Sequence, residues 1–249
     1  MRVIVREDAA GEVRRLRAQL ERVQGRRLDA PVLPTPPALA DLLPGGGLRA
    51  GAAYSLAPSS TLLLSLLARP TKAGSWCAAV GMPELGAEAA AGLGVVLDRL
   101  VLVPEPGPRW LAVTATLAEV MTIVAVRPQG RVSDAEASRL LARLRDRGAA
   151  LLVQGPWPQA EAAFEVADPH WTGLGQGHGY LTAREVTVTV HSRRSPVPRR
   201  ARMLLPDQAG SLTATPTTAT PTTATSTTAT STTATPTTVT PAVPLRAVG

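Results

Sequence analysis

From residue 52 onward, short apolar runs alternate with longer segments of helical period. The runs lie at 52–57, 76–80, 100–103, 121–126 and 149–153. Between them, 60–68, 84–93, 110–120 and 133–147 carry the spacing of helices. The last of these is the best specified. Ser133 and Glu136 form an S-x-x-E capping box, Ala137, Leu140, Leu141 and Leu144 share one face, and Gly148 ends it. Apolar strands separated by helices predict crossover units, hence an α/β fold with a mostly parallel central sheet flanked by helices.

The pattern changes after Gln154-Gly155-Pro156. Residues 164–167 read as a short strand and 171–179 as a glycine-punctuated loop. Val186, Val188 and Val190 then alternate with Thr187 and Thr189, and a turn at 191–196 leads to a strand at 199–205. This period of two predicts an antiparallel C-terminal hairpin at the sheet edge.

Both ends of the chain read differently from its centre. In 1–30, Val13, Leu16, Leu20 and Val23 form one apolar stripe on an otherwise Arg- and Glu-rich helix. That stripe either packs on the protein's own core or docks another chain. A Pro-rich linker at 31–41 separates this helix from a core at 42–206. Residues 207–249 form a tail whose last 39 residues are almost entirely Thr, Ala, Pro and Ser, with a period of five. Such a segment buries too little apolar surface to offset its ordering entropy, so disorder is expected there. In a secreted protein it would read as an O-glycosylated stalk; here a spacer or a repeat expansion is the preferred reading.

Composition narrows the chemistry. The single cysteine, Cys77, excludes an internal disulfide framework and a Cys-based zinc site. No apolar run approaches the ~18 residues of a membrane span, and the charged start MRVIVREDAAGEVRR has no signal-peptide core, so a cytoplasmic protein is expected. The net charge of +7 points weakly to anionic partners. It is uneven: 184–206 holds six arginines against Glu185 alone. Arg193, Arg194, Arg199, Arg200 and Arg202 are therefore candidate DNA-phosphate contacts. The alternative is a solvated arginine row protecting an edge strand. His178, in the glycine-rich loop beside Trp171, is a further candidate for contact with a nucleic-acid backbone.

The first strand–turn–helix is where phosphate-binding folds of this type place their glycine-rich loop and its Gly-Lys-Ser/Thr ending. Here it reads Ala57-Pro58-Ser59-Ser60-Thr61. The glycines and the lysine are missing, and the turn is shortened. Lys72, the only lysine, falls past the helix and away from the loop. At the expected place of the metal-binding Walker B aspartate, the strand at 121–126 runs into Arg127-Pro128. Glu84 matches the position of a water-activating glutamate, but a helix N-terminal charge is the preferred role. No cofactor, no metal and no catalytic residues are expected.

Several segments in combination resemble a known family. Leu42-Leu43-Pro-Gly-Gly-Gly47-Leu-Arg-Ala-Gly51, Gly74-Ser-Trp-Cys-Ala-Ala-Val-Gly81 and Leu93-Gly94-Val-Val-Leu-Asp-Arg-Leu100 resemble the RecA core. With Arg127-Pro128-Gln-Gly130-Arg-Val, Gly173-Leu-Gly-Gln-Gly-His-Gly179 and Pro198-Arg-Arg-Ala-Arg202, the chain is similar over about 1–206 to the actinobacterial ImuA-prime proteins. These are degenerate RecA-like members of a translesion mutagenesis cassette. The resemblance implies a RecA-like fold without ATPase activity, and an accessory role in DNA-damage-induced mutagenesis. It implies an ImuB-like Y-family polymerase homologue as partner, an error-prone C-family DNA polymerase indirectly, and recruitment to the nucleoid. An ATP-dependent recombinase or RecA regulator, and a plain DNA-binding module, are the alternatives.

Overall fold

The computed structural model describes residues 30–174, 179–207 and 212–215. The described residues belong to one compact unit, and residues 218–249 lie outside the described residues. So do the stripe Val13, Leu16, Leu20 and Val23, most of the Thr-rich tail, and His178.

A small sheet pairs β1 (Val32–Leu33) with β2 (Leu48–Arg49). The large sheet has nine strands. In chain order these are β3 (Ala53–Leu56), β4 (Cys77–Val80), β5 (Leu100–Val103), β6 (Ile123–Val126), β7 (Ala150–Gln154), β8 (Ala162–Leu174), β9 (Gly179–Ser192), β10 (Arg199–Leu204) and β11 (Thr213–Ala214). Their spatial order is β11-β10-β9-β8-β3-β7-β6-β4-β5. The strands from β8 to β5 run parallel, and β9, β10 and β11 add antiparallel ladders. The expected α/β architecture with an antiparallel edge is present.

Helix α1 (Pro37–Ala40), α2 (Ser60–Lys72) and α3 (Ala87–Gly92) lie on one face of the sheet; α4 (Trp110–Leu117) and α5 (Asp134–Arg147) lie on the other. Alternate residues of β7 therefore enter two separate cores, Ala150 and Leu152 on the α2 side, Leu151 and Val153 on the α5 side.

Helix α2 carries the first core. Ser59 caps it by accepting from Leu62 N–H at 3.3 Å, and Leu62, Leu63, Leu64, Leu66 and Leu67 are all buried. A helix buried on so wide an arc needs cover on both sides, and 31–41 supplies it. Ala38, Leu39, Leu42 and Leu43 pack in the same core, with Pro37 as the helix-compatible first residue of α1. The segment expected as a linker is thus a packed strand and helical turn, and the core begins ahead of residue 42. Helix α2 also runs past the expected 68 to Lys72, through Pro70. The proline removes one main-chain donor, the one that would serve Leu66 O, and it does so in the last turn, where Thr71 Oγ1 donates to Leu67 O and Ala68 O at 2.9 and 3.0 Å.

On α5 the structure matches the sequence closely. Glu136 N–H donates to Ser133 Oγ, Ser133 N–H donates to Glu136 Oε2 at 3.0 Å, and Gly148 takes the left-handed C-cap with φ 67°. Ala137, Leu140 and Leu144 face the core.

The C-terminal half differs most. The strand expected at 164–167 is 13 residues long, and β9 has 14. Residues 171–174, expected as loop, are part of β8, and the two strands form one long hairpin. Asp168-Pro169 breaks the sequence pattern because it sits at an irregularity in the ladder between Ala167 and His170, where Asp168 has φ 52°.

Candidate functional site

The parallel strands end together at Leu56, Val80, Val103, Val126 and Gln154, the rim at which ligands bind in open α/β sheets. Between β3 and α2 only Ala57, Pro58 and Ser59 intervene. Ala57 N–H is bonded to Phe164 O at 2.8 Å and Ser59 N–H to Ala57 O at 2.7 Å. At ~3.5 Å per residue three residues span about 10 Å, too short for a loop that encircles a phosphate chain with its amides. Pro58 offers no N–H, and Ser59 Oγ is turned onto the first turn of α2. The segment 57–61 is a tight strand-to-helix turn with a serine cap.

Lys72 is the last residue of α2, not beyond it as the sequence reading placed it. Twelve residues separate it from Ser60, about 18 Å along the helix axis. Its Nζ lies where a Cβ on Gly94 would reach, at 2.6 Å, far from the turn at 57–59.

Arg127 occupies the end of β6 and holds three elements together. Its Nε and Nη2 donate to Gln154 Oε1 at 3.1 and 2.7 Å, and the same guanidinium forms an ion pair with Glu84. Gln154 closes β7 and is buried, and its Nε2 has no hydrogen-bonding partner. Glu84 follows β4, and the Arg127 hydrogen bond holds its carboxyl below the usual glutamate range. Helix α3 starts at Ala87 with Gly86 as N-cap, so Glu84 lies ahead of the helix rather than in its first turn; Glu88 takes that position. Glu84 therefore serves Arg127 and not the α3 dipole.

Gly81 makes this cluster possible. It has φ 76°, and a Cβ there would lie 2.7 Å from Arg127 O. The chain leaving β4 passes too close to β6 for any larger residue.

A shallow cleft of about 470 Å³ opens beside Ala57 and Pro58, between Gly155-Pro156 and β8. Its walls are apolar apart from Ser55 and Glu165, and the carboxylate of Glu165 would repel a phosphate chain. A second cleft of about 430 Å³ is bounded by Ser55, Trp157 and Arg193. Ser55 Oγ accepts from Trp157 N–H at 3.0 Å, tying the end of β3 to the segment after β7.

The five candidate arginines of the hairpin do not act as one patch. Arg194 is ion-paired with Glu161, and Arg202 with Glu185 at 2.9 Å. Arg199 donates to Asp41 O at 3.2 Å, which ties β10 to the end of α1. Arg200 is exposed opposite Thr189, on the sheet face away from Met203 and Val188, and Arg193 borders the second cleft. Sequence reasoning missed Gln154, Ser55 and Glu161. A lone glutamine at a strand end carries no spacing signal, and Glu161 precedes its partner Arg194 by 33 positions.

Residues 41–159 match the family described as the MT3502 N-terminal domain. The chain is also 40% identical over 121 residues to the uncharacterized protein Rv3395c of Mycobacterium tuberculosis (strain ATCC 25618 / H37Rv). That similarity covers 47% of this chain and 59% of the relative, so the chain spans less than two thirds of that protein's length. Both similarities point to an actinobacterial family. The span 41–159 contains Glu84, Arg127 and Gln154, and stops before the arginine-bearing hairpin.

Proposed function

We propose that the chain is a non-catalytic, RecA-like adaptor in DNA-damage-induced translesion mutagenesis. It works with an ImuB-like Y-family polymerase homologue and, through it, an error-prone C-family DNA polymerase. The observation that carries the non-catalytic part is the Arg127 cluster. In a nucleotide-hydrolysing sheet, a carboxylate at the end of this strand holds a metal. Here a guanidinium stands at that point and is ion-paired with the glutamate that would otherwise orient water. Hydrogen bonding to Gln154 draws the same group across the strand ends. The three-residue turn at 57–59 supports the same reading.

The mutagenesis part rests on the family resemblance of the sequence segments. It is tested by co-purifying the full chain with the ImuB-like protein, in the presence and absence of ATP and magnesium. The expected result is association that nucleotide does not change, together with no heat of ATP binding by titration calorimetry. Absence of association would remove the adaptor reading, and micromolar ATP binding would favour a nucleotide-dependent regulator instead.

A further inference from the structure

The N-terminal ends of the parallel strands form a rim that main-chain hydrogen bonds tie together. Ala50 N–H donates to Pro31 O, Gly51 N–H to Ala149 O, Ala150 N–H to Thr122 O and Thr122 N–H to Trp76 O, each at 2.8 or 2.9 Å. The rim thus leads from Pro31, beside β3, past β7 and β6 to β4, with β5 next beyond. Large apolar side chains are exposed along its far half. Val120, ahead of β6, is 72% exposed, and Trp76, ahead of β4, is 43% exposed. Val96 and Leu97, ahead of β5, are exposed at 36% and 41%. The Arg99 guanidinium lies over one face of the Trp76 ring, 5.2 Å from its centroid.

The described chain enters at this same rim, since Ala30 is its first residue and Pro31 is bonded to Ala50. Ahead of Ala30 the sequence holds the apolar stripe Val13, Leu16, Leu20 and Val23, on a segment of helical period that is otherwise rich in Arg and Glu. Neighbouring strands lie ~4.8 Å apart, so β6 is about 10 Å from β3 and β5 about 19 Å. Seven residues separate Val23 from Ala30. At the helical rise they span about 10 Å, which brings Val23 to β6. The stripe from Val23 back to Val13 is about 15 Å long, enough to pass Trp76 and reach Leu97. In the other direction from β3 the same rim carries Glu161, Arg193, Arg194 and Arg199, which offer an apolar stripe nothing to cover.

We propose that the N-terminal segment docks on the far half of this rim of its own chain, with Val13, Leu16, Leu20 and Val23 laid over Val120, Trp76, Val96 and Leu97. The tether selects the occupant. A segment joined at Ala30 meets this surface at an effective concentration on the order of millimolar, so a second chain at ordinary dilution competes poorly. The docking settles the two readings of the stripe in favour of the protein's own core. It is independent of the adaptor reading, in which the partner then binds another surface.

The test is disulfide trapping in the full chain, at dilution and under mild oxidation. The pairs Val23→Cys/Val120→Cys and Leu16→Cys/Leu97→Cys should each close a link within one chain, identified by mass spectrometry of the joined peptides. Cys77 is buried and stays out of the reaction. The control pair Leu16→Cys/Val197→Cys, with its second cysteine at the exposed turn before β10, should not close. A second measurement is acrylamide quenching of tryptophan fluorescence in a Trp171→Phe background, which leaves Trp76 as the one exposed tryptophan because Trp110 and Trp157 are buried. Leu16→Asp/Leu20→Asp should raise the quenching, with circular dichroism unchanged in the strand region. Failure of both rim pairs to close, closure of the control at the same rate, or quenching that the aspartates leave unchanged overturns the proposal. So does a link between two chains whose yield rises with concentration, which would place the stripe on a second copy.

Discussion

Arg127 and Gln154 close neighbouring strands β6 and β7 through a forked hydrogen bond, with Nε and Nη2 of the arginine sharing Oε1 of the glutamine. The glutamine is buried and its amide nitrogen is already unpartnered, so its oxygen depends on the arginine. Removing the guanidinium leaves a buried acceptor unpaired, which costs about 1–3 kcal/mol. Arg127→Ala is expected to lower stability in urea by that amount. Arg127→Lys should fall between, since an ammonium cannot reproduce the fork. Arg127→Asp should be worst, because it sets a carboxylate beside Glu84. It should not create nucleotide binding, since the turn at 57–59 stays short.

The Glu84–Arg127 ion pair makes a pH-dependent contribution of predictable sign. Arg127 lowers the folded-state pKa of Glu84. A depressed folded pKa contributes stability that is complete above the unfolded value, about 4.3 for glutamate, and is lost as pH falls through the folded one. The stability difference between the wild type and Glu84→Gln should be constant above about pH 5.5 and shrink on acidification. Both side chains are substantially exposed, 38% and 47%, so the plateau will be small and reduced by salt. Urea titrations at stepped pH values check this, and a difference that grows toward low pH would contradict it.

How much of this was legible in the sequence follows from range. The strand at 100–103, the box Ser133–Glu136 and the stop at Gly148 are local signals, and they appear where the pattern placed them. Helix α2 ran longer than expected because Pro70 falls in its last turn, where it removes one main-chain hydrogen bond without ending the helix. The packed state of 31–41 was hidden because proline density reads as linker, while Ala38 and Leu39 are buried in the core they share with the leucines of α2. At the site, the loss of the lysine and of the aspartate could be read directly. The Arg127–Gln154 bond could not, because it joins positions 27 residues apart on strands whose adjacency only the topology reveals.

Cys77 offers a readout of global opening. It is the first residue of β4, fully buried, and burial pushes its thiol up to about 12. Since the thiolate is the reactive form, the native thiol should be inert to disulfide reagents at neutral pH. It should label only as denaturant unfolds the sheet, with the same midpoint as circular dichroism. Labelling well before that midpoint would show that β4 opens locally.

The capping box on α5 is exposed to solvent, and its loss leaves the core intact. Ser133→Ala removes both the acceptor for Glu136 N–H and the hydroxyl partner of Glu136 Oε2. The expected cost is about 1 kcal/mol, measured by thermal or urea unfolding.

The hairpin arginines separate into two groups with opposite expected behaviour. Arg194 is paired with Glu161, which also accepts Arg193 N–H through its backbone carbonyl, so it holds the turn after β9 against the start of β8. Arg194→Ala should lower stability and leave any DNA affinity largely unchanged. Arg200 and Arg193 are exposed, with no ion pair recorded to a carboxylate among the described residues. If the hairpin contacts DNA phosphates, the double substitution Arg193→Ala/Arg200→Ala should weaken binding and flatten the slope of log affinity against log salt by about 2, at nearly wild-type stability. Fluorescence anisotropy with a labelled oligonucleotide over a salt series measures both quantities. An unchanged slope would assign Arg200 instead to keeping the outer strands soluble, as edge charges do.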